Sequence, residues 1–203
     1  TVSLNDYLIF LHKIARRAVK QRTIKRDPFA GYKLESVPVN HRYLTGEQFA
    51  KLTGVELPTY RLCHARDLFV FSTFTGLGRA DLANLTSENI VTEPDGSRWI
   101  HIERQKTKAE CHIKLLDIPS RIIDKYKGEG KDGKLFFVPA TSSLCRSLKM
   151  IEEQCKLGCH LTFYMARHSF ATLICLGNGV PIETISRMMG HSSIRTTQIV
   201  SPR

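Results

Sequence analysis

A two-stranded pattern at residues 98–118, set among segments with the period of an α-helix, limits the fold more than any other feature of this sequence. The segments RWIHIERQ and CHIKLLDI favour strands, and KTKAE between them is typical of a hairpin tip. A further short strand is expected at LFFVP, residues 135–139. Helical patterns stand on both sides of this sheet, without the strand–helix alternation that builds a parallel sheet. The expected fold class is therefore α+β, mainly α: a helical domain with a small antiparallel β-sheet.

The spacing of apolar residues also predicts how the chain is divided. Residues 3–21 have the pattern of an amphipathic helix whose other face is basic, but one helix cannot form a domain. Residues 22–42 contain Pro, Gly and mixed charge without periodicity, as linkers do. After a capping box at Thr45 and Gln48, an apolar helix over 60–75 is expected to end at Gly76. We expect a terminal helix within 1–27, a linker at 28–42 and the main domain at 43–203.

The charge of the chain bears on its partners. Its 203 residues include 30 Lys and Arg against 19 Asp and Glu, a net charge of +11. Basic side chains that neutralise phosphates release counterions, so the excess favours a polyanionic partner, although a merely soluble basic surface gives the same count. The sequence has no signal peptide and no run of about 18 apolar residues, so we expect neither export nor a membrane. It also has no glycine-rich nucleotide-binding motif, which weighs against a nucleotide cofactor.

The six cysteines allow two interpretations. Only Cys155, Cys159 and His160 cluster, and no second C-x-x-C pair completes a four-ligand site. Other cysteines lie in apolar runs, as Cys175 does in ATLICL, where a thiol behaves as a small apolar group. We favour structural thiols in a reducing compartment. The alternative is a small metalloprotein that uses the cluster together with His168.

Polar residues interrupt the apolar helices at places where a core would exclude them. Arg167 and His168 lie inside FYMARHSFATL, and His191 directly follows a predicted helix stop. Arg79 begins a helix just after FTGLG, and Lys106 lies at the hairpin tip. Taken singly, each has an ordinary structural explanation: a solvated cap, a core or surface histidine, a solvated lysine. Their order along the chain carries more information than any one of them.

Together these motifs resemble the catalytic domain of the tyrosine recombinases, the phage integrase family. The segments that carry the resemblance are TGL with DL at 75–82, the hairpin lysine, MARHSFAT at 165–172, GVPIETISRMMGH at 179–191 and TTQI at 196–199. ARHSFAT followed about twenty residues later by MMGH is the specific signal, whereas TGL with DL alone would be weak. The match covers about residues 43–200. The helix at 3–21 looks like the end of that family's core-binding domain, whose remainder is absent.

The resemblance implies a chemistry. In this family a tyrosine attacks a DNA phosphate, forms a 3′-phosphotyrosine and releases a 5′-hydroxyl; a second 5′-hydroxyl then reverses the step on a new partner. The covalent intermediate preserves the energy of the phosphodiester, so neither ATP nor a metal is implied as a cofactor. Planar guanidinium groups suit the non-bridging phosphate oxygens, and the leaving 5′-oxygen needs a proton donor.

The same resemblance assigns roles to particular residues. Arg167 would bind the phosphate, and His191 would donate to it and accept a proton from the nucleophile. Lys106 falls where the family has its general acid, with Lys108 as the competitor, and His168 is interpreted as a packing residue. The implied catalytic positions are Arg79, Lys106, Tyr164, Arg167, His191 and Val200, and the implied DNA contacts are Arg104, Lys106, Lys108, Arg167, His191 and Arg195.

Three positions depart from the family's pattern. Gly78 stands where TGLR has its arginine, and Arg79 comes one residue late, so its role is left open. Tyr164 replaces a histidine, and a neutral phenol can still donate a hydrogen bond to a phosphate oxygen. Val200 stands where the nucleophilic tyrosine should be, and valine has no nucleophilic atom. We therefore expect a chain that binds DNA but cannot form the covalent intermediate.

Partners also follow from the resemblance. It implies duplex DNA at attachment sites, a homotetramer on DNA, a monomer without DNA, and a bacterial cytoplasmic location at the nucleoid. A type IB topoisomerase shares the chemistry, but the ARHSFAT context favours recombination. The alternative from another functional class is a non-enzymatic DNA-binding regulatory or excision factor, in which Arg167 and His191 merely pack.

Overall fold

The computed structural model describes residues 2–32, 43–105, 107–191 and 193–200, with side chains over 7–32, 43–105, 107–191 and 193–198. The chain divides into two compact units, Thr1–Asn40 and His41–Arg203. That division falls within the predicted linker, of which residues 33–42 lie outside the described residues. Lys106, the predicted general acid, also lies outside them.

The first unit is built on helix α1 (Val2–Lys20), close to the helix predicted at 3–21. Its last turn carries the basic residues Arg17 and Lys20. The chain then folds back on the helix, and the His12 ring packs against Phe29 with ring centroids 5.0 Å apart. In the described part of this unit, aromatic side chains that follow α1 therefore pack against that helix.

Helix α3 (Tyr60–Thr75) lies at the centre of the second unit. Every residue from 67 to 73 is buried, so the middle of the helix is covered on all sides, as expected where other elements surround it. Helices α2 (Gly46–Gly54), α5 (Asp117–Lys125), α6 (Thr141–Cys155) and α7 (Phe163–Ser169) pack around it. The capping box predicted before α2 is confirmed: the Gln48 amide donates to Thr45 Oγ1 at 3.2 Å, and the Thr45 amide donates to Gln48 Oε1 at 3.0 Å.

Helix α3 ends at Gly76, as the sequence predicts. Gly76 has a left-handed φ of 64°, and its amide donates to the Ser72 carbonyl oxygen at 2.8 Å. A Cβ at this position would lie 2.5 Å from Cδ1 of Phe170, so both the conformation and the space require glycine. The short helix α4 (Arg79–Asn84) follows at once.

The sheet has three antiparallel strands in the order β1 (Ile90–Thr92), β2 (Arg98–Glu103), β3 (Glu110–Leu115). The predicted hairpin is confirmed, with Ile100 opposite Ile113 and both side chains buried. The prediction did not include β1, because three residues are too few for an alternating pattern to show. The sheet is therefore small and antiparallel, and the expected fold class holds.

The strand predicted at LFFVP, residues 135–139, was wrong. Lys134 forms an isolated bridge with Thr86, and the Leu135 amide donates to the Leu85 carbonyl oxygen at 2.8 Å. No ladder continues from there in the described chain, since Leu135 and Phe136 turn into the core instead. Apolar character alone had suggested a strand.

The apolar helix that contains Arg167 and His168 changes geometry after Ser169. Thr162 caps α7, its Oγ1 accepting from the Met165 amide at 3.0 Å. A π-helical turn at Phe170–Cys175 and a 3-10 turn at Leu176–Asn178 then complete the segment. Helices α8 (Ile182–Met188) and α9 (Ile194–Val200) follow. Among the described residues, no helix combines the length and apolar character that crossing a membrane requires.

Candidate functional site

A cavity of about 470 Å³ opens where α4, the loop between β2 and β3, α7 and the turn after α8 meet. Four of the predicted catalytic positions line it: Arg79, Tyr164, Arg167 and His191. Arg104, one of the predicted DNA contacts, lines it as well. These residues come from distant parts of the sequence, and the fold places them around one space.

Arg167 is fixed at the floor of this cavity by backbone carbonyl groups. Its Nη1 donates to the Gly76 carbonyl oxygen at 2.8 Å, and its Nη2 donates to that of Met189. Nη2 also lies 3.2 Å from Nε2 of His191. Burial and then the neighbouring charge of Arg104 lower the pKa of Arg167 to about 10, so the guanidinium remains charged at neutral pH.

Arg104 lies beneath Arg167 and is only 2% exposed. Its Nη1 donates to Asp81 Oδ2 at 2.9 Å and to the Gly76 carbonyl oxygen at 3.3 Å, and its Nη2 donates to the Met188 carbonyl oxygen at 2.7 Å. The resemblance implied a DNA contact at this position, yet the structure places the side chain inside the fold. Two guanidinium groups therefore share the Gly76 carbonyl, and Asp81 supplies the counter-charge of the more deeply buried one.

His191 is bound through both ring nitrogens. Nδ1 lies 2.9 Å from Thr197 Oγ1, and Nε2 lies 3.2 Å from Arg167 Nη2. Burial, and then the charges of Arg167 and Arg104, lower the pKa of His191 to about 4. The imidazole is therefore neutral at pH 7 while the cavity is empty.

The loop between β2 and β3 is anchored on both sides of position 106. The Gln105 amide donates to Asp81 Oδ1 at 3.1 Å, and Thr107 Oγ1 donates to the Gly190 carbonyl oxygen at 3.1 Å. Gln105 and Thr107 both line the cavity. Lys108, the competitor for the general-acid role, is instead paired with Glu103 at 3.3 Å, with both side chains largely exposed.

Of the remaining predicted residues, Arg79 and Tyr164 line the cavity. Arg79 donates from Nη1 to the Pro139 carbonyl oxygen at 3.3 Å, and Tyr164 is exposed with its ring 4.2 Å from that of His168. His168 itself is buried, in agreement with its interpretation as a packing residue. Arg195 is exposed in α9. Val200 is the last residue of that helix, and its side chain lies outside the described residues.

The cysteine cluster has a structural setting. Cys155 and Cys159 pack against the main core, and His160 Nδ1 lies 3.0 Å from Glu152 Oε2. Within the described part of the chain, no group of three His, Cys, Asp or Glu side chains could hold a metal ion. All six cysteines are free thiols. These contacts favour structural thiols over the alternative metalloprotein.

Sequence reasoning missed two partners of the site, Asp81 as the counter-charge of Arg104 and Thr197 as the partner of His191. A usable signal existed for the burial of Arg104: Ile100 and Ile102 face inward, and position 104 continues their two-residue period. No comparable signal marks the carbonyl groups of Gly76 and Met189, because their positions depend on how two distant turns meet.

Known proteins share sequence similarity with this chain. The model of the phage integrase family matches residues 42–200. Tyrosine recombinase XerA of Saccharolobus solfataricus is 32% identical over 126 residues, which are 62% of this chain and 41% of that protein. XerA of Thermococcus onnurineus is 29% identical over 169 residues, 77% of this chain and 56% of that protein. This chain thus spans about half the length of the curated relatives that it matches.

Solved structures share the fold at low sequence identity. The transposon Tn1549 integrase in complex with a circular intermediate DNA superposes with a TM-score of 0.76 at 17% identity, covering 99% of this chain and 75% of that one. A lambda integrase dimer bound to a COC′ core site gives a TM-score of 0.74 at 18% identity, covering 94% of this chain and 69% of that one.

Proposed function

Because this chain belongs to the phage integrase family of tyrosine recombinases, we propose that its cavity binds the DNA phosphate at which a site-specific recombinase cuts and rejoins a strand. The observation that carries the proposal is the contact between Arg167 and His191, 3.2 Å apart in one cavity although 24 residues separate them in the sequence. The rival DNA-binding factor, in which these residues merely pack, does not explain why both line a basic cavity.

The two arginines have different tasks in this proposal. Arg167 is half-buried and lines the cavity, so its planar guanidinium can donate to the non-bridging oxygens of a phosphate. Arg104 is held by its counter-charge Asp81 and by two carbonyl groups, so it supports Arg167 by holding the Gly76 carbonyl that both share. Removal of one preorganised donor of this kind typically lowers the rate about 10²–10³-fold.

Lys106 remains the proposed general acid. The support for this role is indirect: both neighbours of position 106 line the cavity and are anchored to it by hydrogen bonds. A lysine at that point of the loop can give its proton to the leaving 5′-oxygen. We also propose Arg79 as a further hydrogen-bond donor to the phosphate, since it lines the cavity from the start of α4.

The residue at position 200 decides the covalent step. Valine has no nucleophilic atom, and we propose that the chain as it stands binds duplex DNA without forming a phosphotyrosine bond. Attachment-site DNA and assembly of four copies on it belong to the same proposal. The site would then be complete for phosphate binding and incomplete for attack.

Adduct formation tests the proposal. The native chain, the Val200→Tyr variant and a Val200→Phe control are each incubated with a pool of duplexes that carry a nick within randomised sequence, and covalent adducts are separated on denaturing gels. We expect an adduct with Val200→Tyr alone, since Phe supplies the ring without the hydroxyl. An adduct with the native chain would refute its inactivity.

Adduct formation, together with a measurement of DNA affinity for Arg167→Ala, separates the rival function. A Val200→Tyr chain that binds the duplexes but yields no adduct, together with unchanged DNA affinity after Arg167→Ala, would favour the non-enzymatic DNA-binding factor. The observation that makes this rival worth testing is Val200 itself.

A further inference from the structure

Thr197 contacts the candidate site from the helix that carries position 200. Its side chain lies in α9, is fully buried, and accepts or donates at 2.9 Å from Nδ1 of His191. Nothing in the motif comparison assigned a role to this residue. Its position three residues before 200 places both on the same face of the helix.

The contacts of His191 determine which ring nitrogen carries the proton. A guanidinium group can only donate, so Nε2, at 3.2 Å from Arg167 Nη2, must accept. The neutral imidazole then has its hydrogen on Nδ1, and Nδ1 donates to Thr197 Oγ1. The structure therefore defines one tautomer of the imidazole.

This tautomer matters once a phosphate enters the cavity. The phosphate oxygens attract the Nη2 hydrogen of Arg167, and that releases the Nε2 lone pair of His191. With Nδ1–H donating to Thr197 Oγ1 at 2.9 Å, Nε2 is the ring nitrogen that can then take up a proton or, once protonated, donate to the phosphate. Without Thr197 the Nδ1–H group would lose this acceptor, and the ring would no longer be held with Nε2 towards Arg167.

We propose that Thr197 is a positioning residue for strand cleavage: it accepts from Nδ1–H of His191, which holds Nε2 towards the phosphate site, and it docks the helix that carries residue 200 beside that site. This inference rests on the proposed function. With a tyrosine at position 200, the phenol oxygen bonds to phosphorus as its proton passes to Nε2 of His191. The bond from phosphorus to the 5′-oxygen breaks, and that oxygen leaves with a proton from Lys106.

The first test measures the tautomer in the native chain, without any need for catalysis. Long-range ¹H–¹⁵N spectra of histidine-labelled protein are compared for the native chain, Thr197→Val and Thr197→Ser. We expect a protonated Nδ1 and an unprotonated Nε2 at pH 7 in the native chain and in Thr197→Ser. In Thr197→Val we expect the Nδ1–H proton to exchange faster with water, because it has lost its acceptor, whereas Nε2 stays unprotonated beside the Arg167 guanidinium. A native His191 protonated on Nε2 would overturn the inference.

The second test places the same substitutions in the Val200→Tyr background. We expect Thr197→Val to slow adduct formation about tenfold, the usual effect of one lost hydrogen bond, with little change in DNA affinity, and Thr197→Ser to restore the rate. Thermal unfolding of each variant shows that it is folded. A Thr197→Val variant with the native rate of adduct formation and the native exchange rate of the Nδ1–H proton would refute the role of Thr197. If Val200→Tyr alone forms no adduct, the proposed function fails, and the tautomer result still stands by itself.

Discussion

Replacement of Gly190 by alanine should disturb the candidate site through its scaffold. Gly190 has a left-handed φ of 63°, and an added Cβ would lie 2.9 Å from Cγ of Arg104 and 3.0 Å from Sγ of Cys111. The left-handed conformation costs a non-glycine residue about 1–2 kcal/mol. The crowding of a buried arginine and a buried thiol adds about 1–3 kcal/mol. We expect Gly190→Ala to lower the free energy of unfolding by about 2–5 kcal/mol.

Gly96→Ala is the matched control for this substitution. Gly96 has a φ of 81° but nothing within 4 Å of an added Cβ. Gly96→Ala should therefore lower the free energy of unfolding only by the conformational cost, about 1–2 kcal/mol. Urea denaturation of the two variants gives the difference directly. Gly190→Ala should also weaken DNA binding, because Arg104 must move, whereas Gly96→Ala should not. Equal losses of stability in the two variants would refute the reasoning that Gly190 is required by contact with Arg104.

Three further perturbations test separate parts of the site. Asp81→Asn removes the counter-charge of the buried Arg104 and should cost about 3 kcal/mol in urea denaturation; a loss below about 1 kcal/mol would contradict the pairing. Arg167→Ala should weaken binding of a short duplex. It should also reduce the dependence of the affinity on salt by the amount that about one phosphate contact contributes, measured by titration at several salt concentrations. The pKa of His191 in the folded protein, about 4, is below its ordinary 6.5, so the unfolded chain takes up the proton first as pH falls. The free energy of unfolding should therefore reach its full value above pH 6.5. It should fall by about 1–2 kcal/mol towards pH 4, after allowance for the partial exposure of His191. In urea denaturation across that range His191→Gln should lack this part of the pH dependence, and an unchanged profile would contradict the lowered pKa.

The sequence predicted much of the fold because its signals were local. The capping box at Thr45 and Gln48, the stop at Gly76 and the hairpin at 98–118 each depend on residues within a few positions of one another. The error at 135–139 has the same origin: a short apolar run is compatible with a strand, and only the surrounding core shows that Leu135 and Phe136 are packed without a ladder.

The candidate site was predictable as a set of residues but not as a network. Motif order identified Arg167 and His191, whereas their shared cavity and their 3.2 Å contact required the fold. The burial of Arg104 could have been inferred from the two-residue period of β2, which position 104 continues. Its pairing with Asp81 could not, because it depends on how α4 packs beside the sheet.

The central claim is that Arg104, Arg167 and His191 respond to one bound phosphate. The most direct measurement is an NMR titration of ¹⁵N-labelled protein with a short DNA duplex, following the guanidinium signals of both arginines and the ring nitrogens of His191. We predict that all three residues shift with one common Kd and that the pKa of His191 rises from about 4 as the phosphate charge enters. Signals that shift with different affinities, or a His191 ring that does not respond to bound DNA, would contradict the account.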